Sequence, residues 1–346
     1  MSYYPEDRGG TVYGREPQRP AGTVYGGGAQ RPPRPPRERP DPGLPQKPHR
    51  SRLGRLLRVL VVVLLLLVVG TAAGVAYFVN KTDKNILRVG DVFGQLPDRP
   101  AAVSNGAQNF LLVGADSARK GPPRSDTIMI LHLPSDRHGA YIVSVPRDSW
   151  VDVPGRGKAK VNASFAWGGP SLLARTIENV SGVHLDHYMQ VDFDGFQQMT
   201  DAVGGVTVPG AGHLDGKAAL KYVRERKSLP RGDFDRIVRQ QRFLAALMAK
   251  ASGSLSDPGA LSALADAVSR AVKVDSGFTK TDLMSLGWAM RNVRGDTMEF
   301  STVPTQGTGW AAGQSVVFLD KQADDAVWNA LRDDKMAEWK AAQPAK

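Results

Sequence analysis

Hydrophobic and polar positions divide the chain into three regions, and each region predicts a different kind of structure. Residues 1–50 are rich in Pro, Gly and Arg and contain few large apolar residues, a composition typical of disordered segments. The run from Val59 to Val79 holds 21 residues and no charge. From residue 105 onwards, short apolar runs alternate with amphipathic stretches, which predicts strands and helices. We therefore expect a disordered leader, an apolar span and a folded domain.

Three apolar runs at the start of the folded region predict strands at Asn109 to Ala115, Thr127 to Leu133 and Ala140 to Val145. The third strand should pair antiparallel with the second, because the connecting sequence PSDRHG has the length of a hairpin loop. If the first strand also pairs antiparallel, the charged residues that flank the three strands meet at one edge of the sheet. These residues are Asp116, Arg124, Asp126 and Arg147.

The rest of the folded region alternates between predicted helices and predicted strands. Helices are expected near 170–181, 194–203, 216–223, 234–251, 258–273 and 279–293, and after Asp320. Strands are expected near 187–193, 206–208, 298–304 and 315–319. This alternation indicates an α/β fold, a layered sandwich with a mixed central sheet and helices on both faces. No break in composition divides residues 105–335, which we predict to be one domain.

The apolar run predicts a transmembrane helix at residues 59–79, since it can cross ~30 Å of hydrocarbon at ~1.5 Å per residue. A cleaved signal peptide would have a shorter charged leader and an apolar core of about 7–15 residues. The flank before the run is the more basic one, so residues 1–58 should be the cytoplasmic tail of a single-pass cell-membrane protein. A membrane-proximal spacer at 80–104, the domain and a C-terminal tail at 336–346 should then lie outside the membrane, where no pool of ATP or NAD exists.

The formal net charge of +11 would favour nucleic-acid binding if the folded domain carried it. However, residues 1–58 hold 12 Lys and Arg against 5 Asp and Glu, and the remaining residues hold 33 against 29. The excess is mostly N-terminal, so no nucleic-acid partner is expected. No helix-turn-helix pattern precedes Val59, which argues against a regulator of transcription. The chain contains no Cys, which excludes disulfides, thiolate metal sites and a Cys nucleophile.

The densest group of cationic residues lies between Lys221 and Gln241. Arg224 and Arg226 leave a predicted helix there, and in an extended chain their side chains point the same way. Converging guanidinium groups suit a phosphate, which accepts bidentate hydrogen bonds from Arg. A solvated helix face would show the same density of charge. The two readings, a phosphate site and a solvated face, both remain open from density alone.

The helix that follows favours the phosphate site. Asp233 is expected to be its N-cap, which places Arg236 in the first turn, where the helix dipole disfavours a cation. Arg236 and Gln240 share a face that continues into Phe243 and Leu247. We therefore predict an anion pocket whose wall becomes apolar one turn later. A second packing surface on a buried helix is the alternative explanation of this face.

The two aspartates at the predicted sheet edge suit a metal ion. Mg²⁺ takes one or two carboxylates and completes its shell with water and phosphate oxygens, so Asp116 and Asp126 beside a phosphate pocket would serve Mg²⁺ or Mn²⁺. Ordinary turn chemistry explains the same two residues. Arg147 follows a strand that Pro146 ends, and pairing with Asp148 is the alternative to a role in the pocket.

Several segments of the folded region carry a family resemblance. They are NFLLVGADSAR, RSDTIMILHL, SVPRDSW, KVNASFAWGG, YMQVDFDGF, AVGGVTV and LDGKAALKYVRERKSLPRGDFDRIVRQQRF, of which the last is highly specific. With these segments the chain closely resembles the LytR–CpsA–Psr family of cell-wall glycopolymer ligases, over roughly residues 105–320. Together with the single anchor, the proline-rich leader resembles that of an actinobacterial member.

The resemblance implies a transferase. Family members move a phosphoglycan from a polyprenyl-pyrophosphate carrier to peptidoglycan with Mg²⁺ assistance, and hold the lipid in a tunnel. It implies that Asp116 and Asp126 bind the metal, and that the pyrophosphate is held by Arg124, Arg147, Arg224, Arg226, Arg236 and Gln240, with Asp233 among them. Asp126 and Asp233 are both candidates for a general base, and water as acceptor would give a pyrophosphatase side activity. The alternative function is a non-catalytic, membrane-anchored binder of lipid-linked wall glycan.

Overall fold

The structure is a computed structural model, and it describes residues 52–116, 123–253, 257–291, 293 and 297–343. The predicted disordered leader at 1–50 lies outside the described residues. Of the nine residues expected to form the site, Asp116 borders the gap at 117–122 and Arg124 lies two residues after it.

The first element is a helix of 34 residues, α1 (Arg52–Asn85). Its segment Leu60–Asn85 has a mean hydropathy of 2.6 and is long enough to cross a membrane. Among the described residues no other helix meets both conditions. This finding supports the predicted single-pass anchor, although the helix continues past the expected end at Val79. Its last turn already belongs to the folded part, since Thr82 is buried.

The strands, in chain order, are β1 (Leu87–Arg88), β2 (Gln108–Ala115), β3 (Ser125–Leu133), β4 (Ala140–Ser144), β5 (Trp150–Val153), β6 (Gly157–Lys160), β7 (His187–Val191), β8 (Val206–Val208), β9 (Gly212–Leu214), β10 (Val272–Val274), β11 (Met298–Thr302), β12 (Thr305–Ala311) and β13 (Gln314–Leu319). The helices after α1 are α2 (Val161–Ser181), α3 (Phe193–Ala202), α4 (Gly216–Arg224), α5 (Asp233–Gly253), α6 (Pro258–Ala271), α7 (Lys280–Met290), α8 (Lys321–Arg332) and α9 (Met336–Ala341).

A mixed sheet of seven strands forms the centre, in the order β1-β10-β7-β2-β3-β4-β11. The pairs β2–β3 and β3–β4 are antiparallel, as the hairpin-length connection predicts. The pairs β2–β7 and β4–β11 are parallel, which makes the sheet mixed. Because β2 and β4 run one way and β3 the other, the ends of β2 and β4 meet the start of β3 at one edge. This edge is called the charged edge below.

Helices cover both faces of the sheet, which confirms the predicted layered sandwich. Alternate residues of a strand point to opposite faces. Leu111 and Ile130 therefore join one core with α2, α8 and α9, where Trp328 is buried. Phe110 and Met129 join a second core with α5 and α7. A third cluster lies between α3, α4, α5 and the β8–β9 hairpin. The sandwich thus places α3, α4 and α5 beside the face that carries Met129.

Several elements differ from the predicted ones. Helix α2 starts at Val161, with non-helical backbone at Gly168 and Gly169, so the predicted helix at 170–181 is its second segment, and Pro170 starts it. The predicted helix at 258–273 ends at Ala271 and becomes strand β10, which completes the sheet. The hairpin β5–β6, strand β12 and helix α9 were not predicted, whereas β13 matches the strand expected near 315–319. Met336 of α9 is buried, so packing continues beyond residue 335.

Candidate active site

The charged edge brings together residues that are distant in sequence, as the predicted topology requires. The N–H of Asp116 donates to the carbonyl oxygen of Arg124 at 3.3 Å, which extends the pairing of β2 with β3 by one step. Arg147, which leaves β4 at the same edge, forms a salt bridge with the carboxylate of Asp126. Arg147 also lies 3.7 Å from Asp148, the partner that the alternative reading proposed. Both interpretations of Arg147 are therefore present in the structure.

The start of α5 corrects one expectation. Asp233 is the first residue of the helix and not its N-cap, and its carboxylate serves the arginines instead. It lies 2.8 Å from a terminal nitrogen of Arg236 and 3.5 Å from Nε of Arg147. The carboxylate of Asp233 thus links α5 to Arg147, in the segment that follows β4. The sequence motif is the same for an N-cap and for a buried ion pair, because both require an acid at the start of a helix.

Arg236 is almost fully buried, with 4% of its surface exposed. It donates to the carbonyl oxygen of Asp126 at 3.1 Å in addition to its pair with Asp233. Burial raises the pKa of Asp233, and the charges of Arg236 and Arg147 act against that shift. Burial lowers the pKa of Arg236, and Asp233 acts against that shift. Both directions express the cost of keeping charge out of water, so removing one partner leaves the other uncompensated.

A cavity of about 490 Å³ opens between the charged edge and helices α3, α4 and α5. Its charged end is lined by Arg124, Asp126, Arg147, Arg224, Arg226, Arg236 and Gln240. Seven of the nine predicted site residues thus line the cavity. Asp116 and Asp233 are absent from the lining formed by the described residues. Asp116 directly follows β2 at the same edge and is half-buried. Asp233 forms ion pairs with two of the lining arginines, Arg147 and Arg236.

Arg224 and Arg226 reach the cavity as the sequence predicts. Arg224 is the last residue of α4, and Glu225 has extended backbone angles, so the two arginines leave the helix on the same side. The guanidinium of Arg224 lies 4.0 Å from the ring centroid of Phe193, a cation–π contact that fixes its position. Both arginines are exposed, unlike Arg236. The charged end therefore has a buried floor and an accessible rim.

The rest of the cavity is apolar. It is lined by Leu112, Met129, Met189, Val191, Phe193, Phe196, Met199, Leu220, Val223, Phe243, Leu244, Leu247 and Val272, among others. Phe243 and Leu247 continue the face of α5 that carries Arg236 and Gln240, so the predicted change from polar to apolar along one helix face is present in one cavity. Phe243 also packs against Phe196, with ring centroids 4.9 Å apart. Phe243 thus both lines the cavity and packs α5 against α3.

Helix α3 supplies site residues that reasoning from periodicity missed. Asp192 caps α3 by accepting from the N–H of Gly195 at 2.9 Å, and it forms a salt bridge with Lys273 at 3.1 Å. Asp192, Phe193 and Phe196 all line the cavity. The signal was the segment YMQVDFDGF, where an acid at the end of a strand precedes an amphipathic helix. Only a pairing of that strand with β2 brings it to the site.

The donor atoms at the charged edge fit both an anion and a divalent cation. Five arginines line the charged end, which suits the oxygens of a phosphate, whereas Nε of Arg147 and of Arg236 are buried beside the Asp233 carboxylate. Among the described residues no group of three or more His, Asp and Glu is arranged to hold a metal. Asp116 and Asp126 suffice for Mg²⁺ when phosphate oxygens complete the shell. The two aspartates therefore fit a metal that arrives with a phosphorylated substrate.

Comparison with known proteins assigns the chain to a family. The profile described as "LytR_cpsA_psr family" matches residues 78–210 and 208–333, which is more than half of the chain. The chain belongs to the LytR–CpsA–Psr family. Similar relatives include the cell wall biosynthesis protein LcpA of Corynebacterium glutamicum, which is 34% identical over an alignment of 283 residues that covers 63% of this chain and 54% of that one. The teichoic acid transferase TagU of Bacillus mycoides is 30% identical over 240 residues, 65% of this chain and 77% of that one.

Solved structures of family members share the fold. TagV of B. subtilis is 27% identical, covers 66% of this chain and 97% of that chain, and has a TM-score of 0.57. An enzyme of this family from Actinomyces oris has a TM-score of 0.58 at 21% identity, covering 72% and 96%, and shows likeness of fold alone. The chain spans about half the length of the two Corynebacterium relatives, 54% of LcpA and 44% of LcpB.

Proposed function

We propose that the chain transfers a phosphoglycan from a polyprenyl-pyrophosphate carrier to peptidoglycan. One observation carries the proposal, namely the cavity that is lined by five arginines at one end and by aliphatic and aromatic side chains over the rest. An amphiphile with a doubly charged head and a long apolar chain is complementary to both parts. The names of the relatives agree, since TagU is a polyisoprenyl-teichoic acid–peptidoglycan teichoic acid transferase.

The arginines bind and orient the pyrophosphate. Arg147 and Arg236 form the floor of the charged end, where Asp126 and Asp233 hold them in place through ion pairs. Arg224 and Arg226 form the rim, where they neutralise charge as the donor enters. Guanidinium groups match phosphate oxygens in geometry and cannot lose their protons at neutral pH. Phosphoryl transfer needs little from the protein beyond such positioning and neutralisation.

The reaction follows from this arrangement. A sugar hydroxyl of peptidoglycan attacks the phosphorus that carries the glycan, and the bond from that phosphorus to the bridging oxygen breaks. The hydroxyl proton is lost to a base, and polyprenyl phosphate leaves with the electron pair of the broken bond. Asp126 and Asp233 are both candidates for this base: Asp126 lines the cavity and pairs with Arg147, whereas Asp233 lies behind the lining and pairs with Arg147 and Arg236.

Asp116 and Asp126 would hold Mg²⁺ at the charged edge. When bound, the ion would neutralise charge on the phosphate oxygens and on the leaving group. Asp116 directly follows β2, whose last residue Ala115 pairs with Ser125, and Asp126 is the next residue of β3. The salt bridge from Arg147 keeps the carboxylate of Asp126 oriented toward the cavity. The donor already contains an activated bond, which suits an extracytoplasmic domain on a membrane anchor whose basic flank is cytoplasmic.

The test uses the full chain in nanodiscs with a polyprenyl-pyrophosphate-linked glycan and a peptidoglycan fragment. We expect release of polyprenyl phosphate and formation of the glycan–peptidoglycan product only when a divalent metal is present. Arg226→Ala should lower kcat/KM by about 10–100-fold, since a hydrogen bond to a charged group contributes about 1.5–3 kcal/mol. Arg231→Ala is the matched control, because Arg231 lies in the same loop, pairs with Asp235 and is outside the described lining.

Two results would contradict parts of the proposal. Binding of the donor without any turnover by the wild-type chain would show a non-catalytic binder. Asp116→Ala that keeps both activity and metal dependence would remove the two-aspartate metal site while leaving the transferase intact. Release of polyprenyl phosphate without the glycan–peptidoglycan product would identify water as the acceptor.

A further inference from the structure

Helix α7 presents an exposed stripe to its surroundings. Lys280, Met284, Trp288 and Arg291 are spaced four, four and three residues apart, which places them on one face of the helix and the turn that follows it. Met284 is 53% exposed and Trp288 is 66% exposed. The opposite face packs on the second core through Leu283, Leu286, Ala289 and Met290. Helix α7 is therefore apolar on both sides, although one side has no protein to cover it among the described residues.

The composition of this stripe is that of a membrane–water interface. The guanidinium of Arg291 lies 3.2 Å from the ring centroid of Trp288, so a cation is stacked on an exposed indole. Tryptophan is enriched at the level of lipid headgroups, where its ring is apolar and its N–H is hydrogen-bonded. Lys and Arg beside it attract the phosphates of anionic lipids. An apolar centre with a cation at each end fits this layer better than it fits bulk water.

The position of the stripe relative to α1 also indicates a membrane surface. Nζ of Lys280 donates to the side-chain oxygen of Asn80 at 2.6 Å, and Asn80 directly follows the apolar run of α1. Lys81, in the same turn of α1, forms a salt bridge with Asp266 at 2.8 Å, so this turn of α1 also contacts α6. A bilayer crossed by the apolar run has its surface near residue 80. Helix α7 therefore begins at the level of that surface.

We propose that the face of α7 formed by Lys280, Met284, Trp288 and Arg291 lies in the headgroup layer of the membrane that α1 crosses. Met284 and Trp288 contact the upper acyl chains, and Lys280 and Arg291 contact anionic phosphates. The domain is then held by two contacts, the anchor and this face, and its tilt relative to the membrane is fixed. The partner is a lipid surface that contains anionic phospholipid.

The test uses the full chain in vesicles of phosphatidylcholine and phosphatidylglycerol whose acyl chains carry bromine close to the headgroup, which quenches nearby tryptophan fluorescence. We expect the wild-type chain to be quenched, and Trp288→Phe to lose more than half of the bromine-dependent quenching. Trp310→Phe is the matched control, because Trp310 is 77% exposed but lies on β12, and its removal should leave that quenching in place.

A second variant keeps the test decisive if Trp288→Phe fails to fold. Met284→Glu places a carboxylate at the proposed acyl boundary and should reduce the quenching while the thermal unfolding transition of the domain is preserved. Equal quenching of the wild-type, Trp288→Phe and Met284→Glu chains would overturn the proposal. Quenching lost instead in Trp310→Phe would assign the membrane contact to the β12–β13 hairpin. Quenching that does not depend on phosphatidylglycerol would remove the role given to Lys280 and Arg291.

Discussion

Replacing Asp233 with Asn removes the carboxylate that joins Arg236 to Arg147. The substitution keeps the shape of the side chain but leaves Arg236, which is 4% exposed, with the Asp126 carbonyl as its remaining acceptor. Removing one partner of a buried ion pair costs about 3–5 kcal/mol, because the other charge stays buried and unpaired. The lower end of this range applies, since the Asp233 side chain is 15% exposed and Asn can still accept one hydrogen bond.

The expected result is a decrease of about 3 kcal/mol in the free energy of unfolding, which corresponds to a decrease in Tm of about 6–12 °C for a domain of this size. Thermal unfolding of the full chain in nanodiscs measures it. Asp235→Asn is the control, because Asp235 starts the same helix but pairs with Arg231 at the surface, and its loss should change Tm little. Inorganic pyrophosphate should restore more Tm to Asp233→Asn than it adds to the wild type, because it replaces the missing anion. Equal Tm values for Asp233→Asn and the wild type would refute the reasoning.

Three further tests, with four variants, address the packing that supports the cavity, the cavity wall and a buried charge pair. Gly216→Ala should lower the free energy of unfolding by about 1–3 kcal/mol, because a Cβ there would lie 2.4 Å from a carbonyl oxygen of α3. Gly287→Ala, also in a helix but with open space at its Cβ, should raise it by about 0.5–1 kcal/mol, and the opposite order in denaturant titrations would contradict this explanation. Leu247→Gln should weaken binding of donors with long prenyl chains while leaving short-chain donors unchanged, and calorimetry with both donors would expose a uniform loss as a contradiction. Burial acts to lower the pKa of His187, but the hydrogen bond and charge of Asp275 outweigh it and raise that pKa, so stability should fall as pH rises through the folded-state pKa. In Asp275→Asn, burial still lowers the pKa of His187 and only the charges of Asp282 and Asp186 still raise it, so the loss of stability with rising pH should move to lower pH, and an unchanged pH profile would disprove the pairing.

Reasoning from the sequence succeeded where local signals agree with tertiary structure. The hairpin-length connection after β3 and the apolar runs of β2 to β4 were enough to predict which charged residues meet at one edge. The helical face from Arg236 to Leu247 predicted the change in polarity along the cavity. Both features depend on contacts close in sequence or on a single periodicity, which are the signals that a sequence carries directly.

The rest depended on contacts that no local pattern contains. Strand β10 has three residues and continues directly from α6, so its pairing with β7 decides that it is a strand. Strand β12 is rich in Gly and Thr and lacks a clear apolar alternation, so only its pairing with β13 makes it a strand. Asp192 and Phe196 reach the site only because β7 pairs in parallel with β2. The role of Asp233 also changed, since an N-cap and a buried ion pair require the same residue type at the same place.

The continuity of α5 sets a length scale for recognition. Arg236 and Leu247 line the same cavity from one unbroken helix, eleven residues apart, a separation of about 16 Å at ~1.5 Å per residue. Because α5 is one continuous helix, the distance between its charged contact and its apolar contact is fixed. A ligand in which a polar spacer separates the charge from the hydrocarbon does not match that distance. Helix α5 therefore sets the separation between the two kinds of contact. For the proposed donor, this fixed distance would select amphiphiles by the separation of the charged head from the apolar tail.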